Sequence, residues 1–190
     1  MPKDLFLKNL DDIATLHQDL KKFSHKCEQT INLITKSLKN KGTLYVCGNG
    51  GSASDAQHIV GEYISYFTIK NRPPLRAHAL TSNISSITAI SNDINYEQIF
   101  IRQYEAFFNK NDILILLTTS GKSKNIEKFA KYLNSKKIIF VTFTGRKKTL
   151  TSDLSNICFN IDSSRADRIQ EAYLFLNHTI CEMVEKKIFT

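Results

Sequence analysis

Short apolar runs alternate with amphipathic helical patterns along most of this chain. The strongest run covers residues 112–117, and similar runs occur at 43–47, 137–143, 156–161 and, more weakly, 76–80. Strands that are apolar on both faces and separated by helices are typical of a parallel sheet that is covered on two sides. The pattern therefore predicts a three-layer α/β/α sandwich around a central, mainly parallel sheet.

Helical patterns fill the intervals between these runs and also precede them. They cover residues of about 54–67, 84–90, 96–108, 123–133 and 165–187. Residues 5–40 carry apolar side chains at steps of three and four, which predicts one long helix or two consecutive helices before the first strand. This segment must pack on the domain, on a partner subunit or on both, and we expect its apolar stripe to be buried at a subunit interface. The stripe consists of Leu10, Leu16, Leu20, Phe23 and Ile31.

Length and composition limit the remaining possibilities. A chain of 190 residues without linkers or repeats is expected to form one domain over residues 1–190. The net charge of +8 is spread along the sequence, and no basic helix face carries interleaved aromatic residues. This favours a solvated basic surface over a nucleic-acid or membrane partner.

The four cysteines lack C-x-x-C spacing, so they are expected to be reduced thiols. No signal or membrane-spanning segment is evident, and we therefore expect a cytoplasmic protein.

A glycine-serine loop follows the first predicted strand and leads into a helix that carries His58 and Glu62. These two residues are four apart, so they lie on one helix face and can share a ligand. The segment 48–53 also matches the dinucleotide pattern G-x-G-x-x-A. However, no acidic residue for a ribose follows the next predicted strand, so a nicotinamide cofactor is not expected.

The last predicted helix places Gln170, Leu174 and His178 along one ridge at steps of four. If this helix meets the helix of His58 and Glu62, two histidines, a glutamate and a glutamine can surround a metal ion or a sugar. Each group alone has a simpler interpretation, because a single His/Glu pair is commonly a surface contact and a single histidine is commonly a satisfied core residue. A metal or sugar site is favoured because all four residues occur together at these spacings.

A third segment, Thr118-Thr-Ser-Gly-Lys-Ser123, follows the strongest strand and opens a helix. Backbone N–H groups at a helix N-terminus bind phosphate, and hydroxyl groups add further donors. The simpler interpretation is N-capping by Ser123, but capping needs only one hydroxyl and the segment has four. The spacing of a nucleoside-triphosphate loop is absent. We therefore predict a site for a phosphate monoester.

In these three segments the sequence resembles the sugar-isomerase (SIS) domain family, and within it the phosphoheptose isomerases. The resemblance implies an SIS fold with flavodoxin-like topology, one zinc ion per subunit, and homotetramers with active sites at subunit interfaces. It assigns zinc binding to His58, Glu62, Gln170 and His178, with Glu62 as catalytic base and His178 as acid/base. The substrate-binding residues on this basis are Asn49, Gly50, Gly51, Ser52, Asn92, Asp93, Thr118, Thr119, Ser120, Ser123 and Gln170.

The activity implied by the resemblance is conversion of sedoheptulose 7-phosphate to D-glycero-D-manno-heptose 7-phosphate through an enediol, for bacterial surface polysaccharides. The alternative is a non-catalytic SIS protein that binds a replication initiator or senses a sugar phosphate. The joint presence of Glu62 and His178 favours the enzyme. One departure from the family concerns the segment after Glu62, which usually continues with Gly-Arg-Tyr and here reads Tyr63-Ile-Ser-Tyr66-Phe67.

Overall fold

The computed structural model describes residues 2–190 and contains one five-stranded sheet. The strands are β1 (Leu44–Gly48), β2 (Ala77–Ala79), β3 (Ile113–Thr118), β4 (Ile139–Gly145) and β5 (Ile157–Ile161). Their order is β2-β1-β3-β4-β5, and every neighbouring pair is parallel. The predicted parallel sheet is therefore confirmed, and the order reverses between β1 and β3, where open α/β sheets bind ligands.

Helices cover both faces of the sheet. They are α1 (Pro2–Asp19), α2 (Ser24–Lys39), α3 (Gly51–Ile64), α4 (Ile84–Asp93), α5 (Ile99–Phe107), α6 (Lys124–Ser135), α7 (Leu150–Leu154) and α8 (Ala166–Phe189). The central strand β3 shows why two layers of helices are needed. Its residues Ile113 and Ile115 join one core cluster, which contains residues of α2, α3 and α8, whereas Leu114 and Leu116 join a second cluster with α5 and α6.

The N-terminal segment consists of two helices that are separated by a 3-10 turn over Leu20–Phe23. Most of its apolar stripe is buried within the same chain, since the exposed fractions of Leu16, Leu20, Phe23 and Ile31 are only 3–8%. The expectation that these four side chains are buried by a partner subunit is therefore wrong. Leu10 remains 53% exposed. The described part of the chain contains no helix that is long and apolar enough to cross a bilayer.

The predicted element boundaries are shifted at two places that matter for the site. Helix α3 begins at Gly51, directly after Gly50, whose positive φ of 57° turns the chain out of β1. It ends at Ile64, so Phe67 belongs to the following loop. The sequence also did not predict the short helix α7, which a capping box between Thr149 and Ser152 opens.

Candidate active site

Two loops meet at the carboxyl end of the sheet because β1 and β3 are neighbours. Gly48 of β1 pairs with Leu117 of β3, so the glycine-serine loop and the hydroxyl-rich loop leave the sheet side by side. Helices α3 and α8 pack on one face of the sheet, and their contacts run in the same direction along both helices. Gly51 faces Gln170 near the sheet, and His58 faces His178 further along.

The structure brings together His58, Glu62 and His178, as the sequence predicts. Nε2 of His58 lies 3.3 Å from a carboxylate oxygen of Glu62. The imidazole rings of His58 and His178 are 5.0 Å apart between centroids and are inclined at 67°. One donor atom from each of the three residues can be chosen so that all lie within 4.8 Å of one another. A single ion or a small polar group can therefore contact all three side chains.

His178 is half-buried and packs against an aromatic ring. Its ring stacks on Phe67, with the centroids 5.4 Å apart and the planes inclined at 21°. Its Nε2 atom is buried and has no hydrogen-bond partner among the described residues. Burial lowers the pKa of His178, and nearby His58 lowers it further, although the charge of Glu62 opposes both effects. The neutral imidazole is thus favoured, and this is the form that binds a metal or accepts a proton.

The donor set fits a zinc ion. Zinc is bound in proteins by imidazole nitrogen and carboxylate oxygen, and three protein ligands with one open position are typical of catalytic sites. Two histidines and one glutamate supply such a set, and the unpartnered Nε2 of His178 is an unused ligand atom.

Gln170 lies at a different level of α8. It is eight residues before His178, which corresponds to about 12 Å of helix rise. Its side chain packs so closely on Gly51 that a Cβ there would collide with Nε2 of Gln170. Gln170 therefore borders the glycine-serine loop, and its role as a zinc ligand stays a prediction.

The hydroxyl-rich loop has the features expected of an anion site. Ser123 occupies the N-cap position of α6, but its side chain makes no capping hydrogen bond. The hydroxyl oxygens of Thr118 and Ser120 accept hydrogen bonds from the N–H groups of Gly121 and Lys122, both at 3.2 Å. The loop is thus a tight turn at a helix N-terminus with hydroxyl groups along it, and simple capping by Ser123 does not explain its composition. Thr119 is half-buried beside them.

Asn49 of the glycine-serine loop belongs to a polar network that the sequence did not predict. Its amide pairs reciprocally with the amide of Asn125 at 2.8 and 2.9 Å, and the hydroxyl of Tyr96 donates to the Asn49 carbonyl oxygen at 2.9 Å. These contacts join the loop after β1 to α6 and to the segment after α4. No local pattern marks Asn125 or Tyr96, because their partner lies 47 or 76 positions away.

Ser52 is buried beneath the loop. Its hydroxyl forms a 2.8 Å hydrogen bond with the Tyr173 hydroxyl, which also bonds to Asp55 at 2.8 Å. This network joins the first turn of α3 to α8. Burial raises the pKa of Asp55, and the bond from Tyr173 together with the nearby His58 partly offsets that rise.

The remaining predicted substrate residues lie on the surface. Asn92 and Asp93 end α4, are exposed, and hydrogen-bond to each other at 2.8 Å. Gly50 is exposed at the N-cap of α3. The segment that follows Asn92 and Asp93 is joined to the glycine-serine loop by the hydrogen bond from Tyr96 to Asn49.

Comparison with known proteins identifies the family. The model of the SIS domain matches residues 9–145. Phosphoheptose isomerase 2 of Campylobacter jejuni is 41% identical over 82% of this chain and 77% of its own length. Phosphoheptose isomerase of Helicobacter pylori is 36% identical over 90% of this chain and 88% of its own length. The structure of a phosphoheptose isomerase from Francisella tularensis superposes with a TM-score of 0.92 at 28% identity, covering 98% of this chain and 99% of that one. The chain belongs to the SIS-domain family, among the phosphoheptose isomerases.

Proposed function

We propose that this chain is an aldose–ketose isomerase that converts sedoheptulose 7-phosphate to D-glycero-D-manno-heptose 7-phosphate for surface-polysaccharide synthesis. The observation that carries the proposal is the presence in one chain of the His58–Glu62–His178 triad and of a hydroxyl-rich helix N-terminus. A sugar-phosphate isomerase needs a base, a second proton carrier and an anchor for the phosphate. A binding or regulatory module needs only the anchor, so it leaves the triad unexplained.

Each residue of the triad has a separate task in this proposal. The Glu62 carboxylate removes the proton from the carbon next to the carbonyl and returns it to the neighbouring carbon of the enediol. His178 is the proposed acid/base that moves a proton between the two substrate oxygens, through the ring nitrogen that the zinc ion leaves free. The hydroxyls of Ser120 and Ser123 hold the phosphate, and the neighbouring Thr118 and Thr119 complete that loop. Gln170, Asn49, Gly50, Gly51, Ser52, Asn92 and Asp93 complete the proposed substrate-binding set.

We further propose one zinc ion per subunit, held by His58, Glu62 and His178, with Gln170 as the fourth proposed ligand. When bound, zinc would act as a Lewis acid that polarises the oxygens of the open-chain sugar. In that arrangement His58 serves mainly as a ligand, whereas Glu62 also faces the reacting carbon.

The proposal includes a homotetramer with active sites at subunit interfaces, acting in the cytoplasm. The support for the tetramer within the chain is apolar surface that α1 and α8 leave exposed. The exposed side chains are Leu5, Phe6, Leu7 and Leu10 on α1 and Phe175 and Met183 on α8. Light scattering of the purified protein tests it, and a monomeric mass at micromolar concentration would refute the tetramer.

The decisive test of the chemistry uses sedoheptulose 7-phosphate in deuterated water. The wild-type protein is expected to form the aldose and to exchange the proton on the carbon next to the carbonyl. Glu62→Gln and His178→Gln preserve approximate size but cannot perform the same proton transfers, so each is expected to lower the isomerisation rate about 100- to 10,000-fold. If the Glu62→Gln protein exchanges that proton at the wild-type rate, Glu62 is not the base.

A further inference from the structure

A buried ion pair between Arg72 and Glu185 contacts the backbone of the helix that carries His58 and Glu62. Nε of Arg72 contacts a carboxylate oxygen of Glu185 at 2.5 Å, and the two side chains are 1% and 0% exposed. The same carboxylate accepts hydrogen bonds from the N–H groups of Phe67, Thr68 and Ile69 at 2.9, 2.7 and 2.9 Å. The hydroxyl of Thr68 also donates to it at 2.7 Å. Glu185 thus fixes the backbone of the loop that follows α3.

The other end of Arg72 reaches the helix that carries the triad. Its second terminal nitrogen donates to the carbonyl oxygen of Glu62 at 2.8 Å. Glu185 is seven residues after His178, so both side chains lie on the same face of α8. One ion pair therefore links the backbone of Glu62 to the helix of His178.

The loop that Glu185 holds carries the aromatic ring that stacks on His178. The N–H of Phe67 is bound by Glu185, and the Phe67 ring lies 5.4 Å from the His178 ring in a nearly parallel orientation. His58 meets His178 edge-on at 5.0 Å. No described residue bonds to the buried Nε2 of His178, so ring packing has to fix the direction of that atom.

We propose that Phe67 is a positioning residue for His178, held in register by the Arg72–Glu185 ion pair. The stacked ring restricts rotation of the imidazole and keeps Nε2 directed at the point where the donor atoms of the triad converge. This inference rests on the proposed function only for its kinetic part. Its metal-binding part concerns the protein alone.

The test replaces the ring and leaves the ion pair intact. Phe67→Leu removes the stacking surface, while the backbone N–H that Glu185 binds remains. Phe189→Leu is the matched control, because Phe189 is also half-buried and lies 5.7 Å from the guanidinium of Arg72, yet it has no ring contact with His178. Phe67→Tyr keeps the ring and serves as the conservative variant.

Two measurements are made on each protein. Competition with a chromophoric chelator gives the dissociation constant for zinc, and steady-state kinetics with sedoheptulose 7-phosphate give kcat and KM separately. Groups that orient a metal-binding histidine typically change affinity or activity about 10- to 100-fold. For Phe67→Leu we expect weaker zinc binding and a lower kcat by about tenfold or more, with KM within about twofold because the phosphate loop is untouched. Phe189→Leu and Phe67→Tyr are expected to stay close to wild type.

The inference is overturned if Phe67→Leu and Phe189→Leu have the same zinc affinity and the same kcat, since the ring then contributes packing alone. It is also overturned if Phe67→Tyr loses as much as Phe67→Leu. An inactive wild-type protein would refute the proposed function, whereas the zinc affinities would still test the positioning role of Phe67.

Discussion

Replacing Glu185 by glutamine is expected to destabilise the chain by about 3–5 kcal/mol at pH 7, the range for removing one partner of a buried ion pair. The reason is the number of groups that depend on one carboxylate. It accepts from Arg72 and from the backbone of Phe67, Thr68 and Ile69, and it is fully buried. Glutamine has one acceptor oxygen and no charge, so Arg72 would be left buried without a counter-charge.

Because of these contacts, the stability that Glu185 contributes depends on pH. Burial raises the pKa of Glu185, but hydrogen bonds from Arg72, Phe67 and Thr68 outweigh this effect and lower the pKa from 4.5 to about 2. The folded-state pKa is below the unfolded one, so the stabilisation is complete above about pH 4.5 and is lost as the pH falls toward 2. From pH 4.5 to pH 3 the loss is at most about 2 kcal/mol.

Urea unfolding followed by circular dichroism gives these free energies, with a chelator present and at fixed protein concentration. Glu182→Gln is the control, because Glu182 pairs with Lys186 on the solvent side of α8 and exposed pairs contribute about 0–1 kcal/mol. The reasoning is refuted if wild type and Glu185→Gln differ by less than about 1 kcal/mol at pH 7. It is equally refuted if their difference is the same at pH 3 and pH 7.

Three further predictions concern the loops and the triad. Ser120→Ala and Ser123→Ala are each expected to raise KM for the sugar phosphate about tenfold or more in steady-state assays, because a hydrogen bond to a charged group contributes about 1.5–3 kcal/mol; an unchanged KM in both would contradict the phosphate assignment. Gly121→Ala is expected to lower the free energy of unfolding by about 1–2 kcal/mol, since φ is +67° and the new Cβ would lie 2.6 Å from the Thr149 hydroxyl oxygen; an unchanged urea midpoint would disprove this. His58→Ala is expected to lower the zinc content after dialysis without changing the affinity for inorganic phosphate, and full zinc occupancy in this variant would exclude His58 as a ligand.

The sheet could be predicted because its residues carry a local signal. Residues 113–117 are all apolar, and each strand is followed by a helical pattern. The loops after β1 and β3 were predictable for a related reason, since parallel strands place their carboxyl ends at one edge. The boundaries of α3 were harder to predict from the sequence, because the helix starts where Gly50 adopts a left-handed conformation.

Other parts of the site depend on contacts that no local pattern records. Phe67, Arg72 and Glu185 are ordinary residues in the sequence, and their partners lie more than a hundred positions away. The apolar stripe of residues 10–31 was recognised in the sequence, but its burial was assigned to the wrong partner. Periodicity identifies the side of a helix that is buried, but it does not say whether the same chain or another copy covers it. Here the same chain covers Leu16, Leu20, Phe23 and Ile31.

The position of Glu185 near the end of α8 has a consequence for biosynthesis. His58 and Glu62 leave the ribosome more than a hundred residues before His178 and Glu185. Until α8 has been translated, the backbone N–H groups of 67–69 lack the carboxylate that fixes them, and the triad lacks its third member. A nascent chain that has completed all five strands therefore still lacks the His58–Glu62–His178 triad, and only translation of the last helix allows the three side chains to come together.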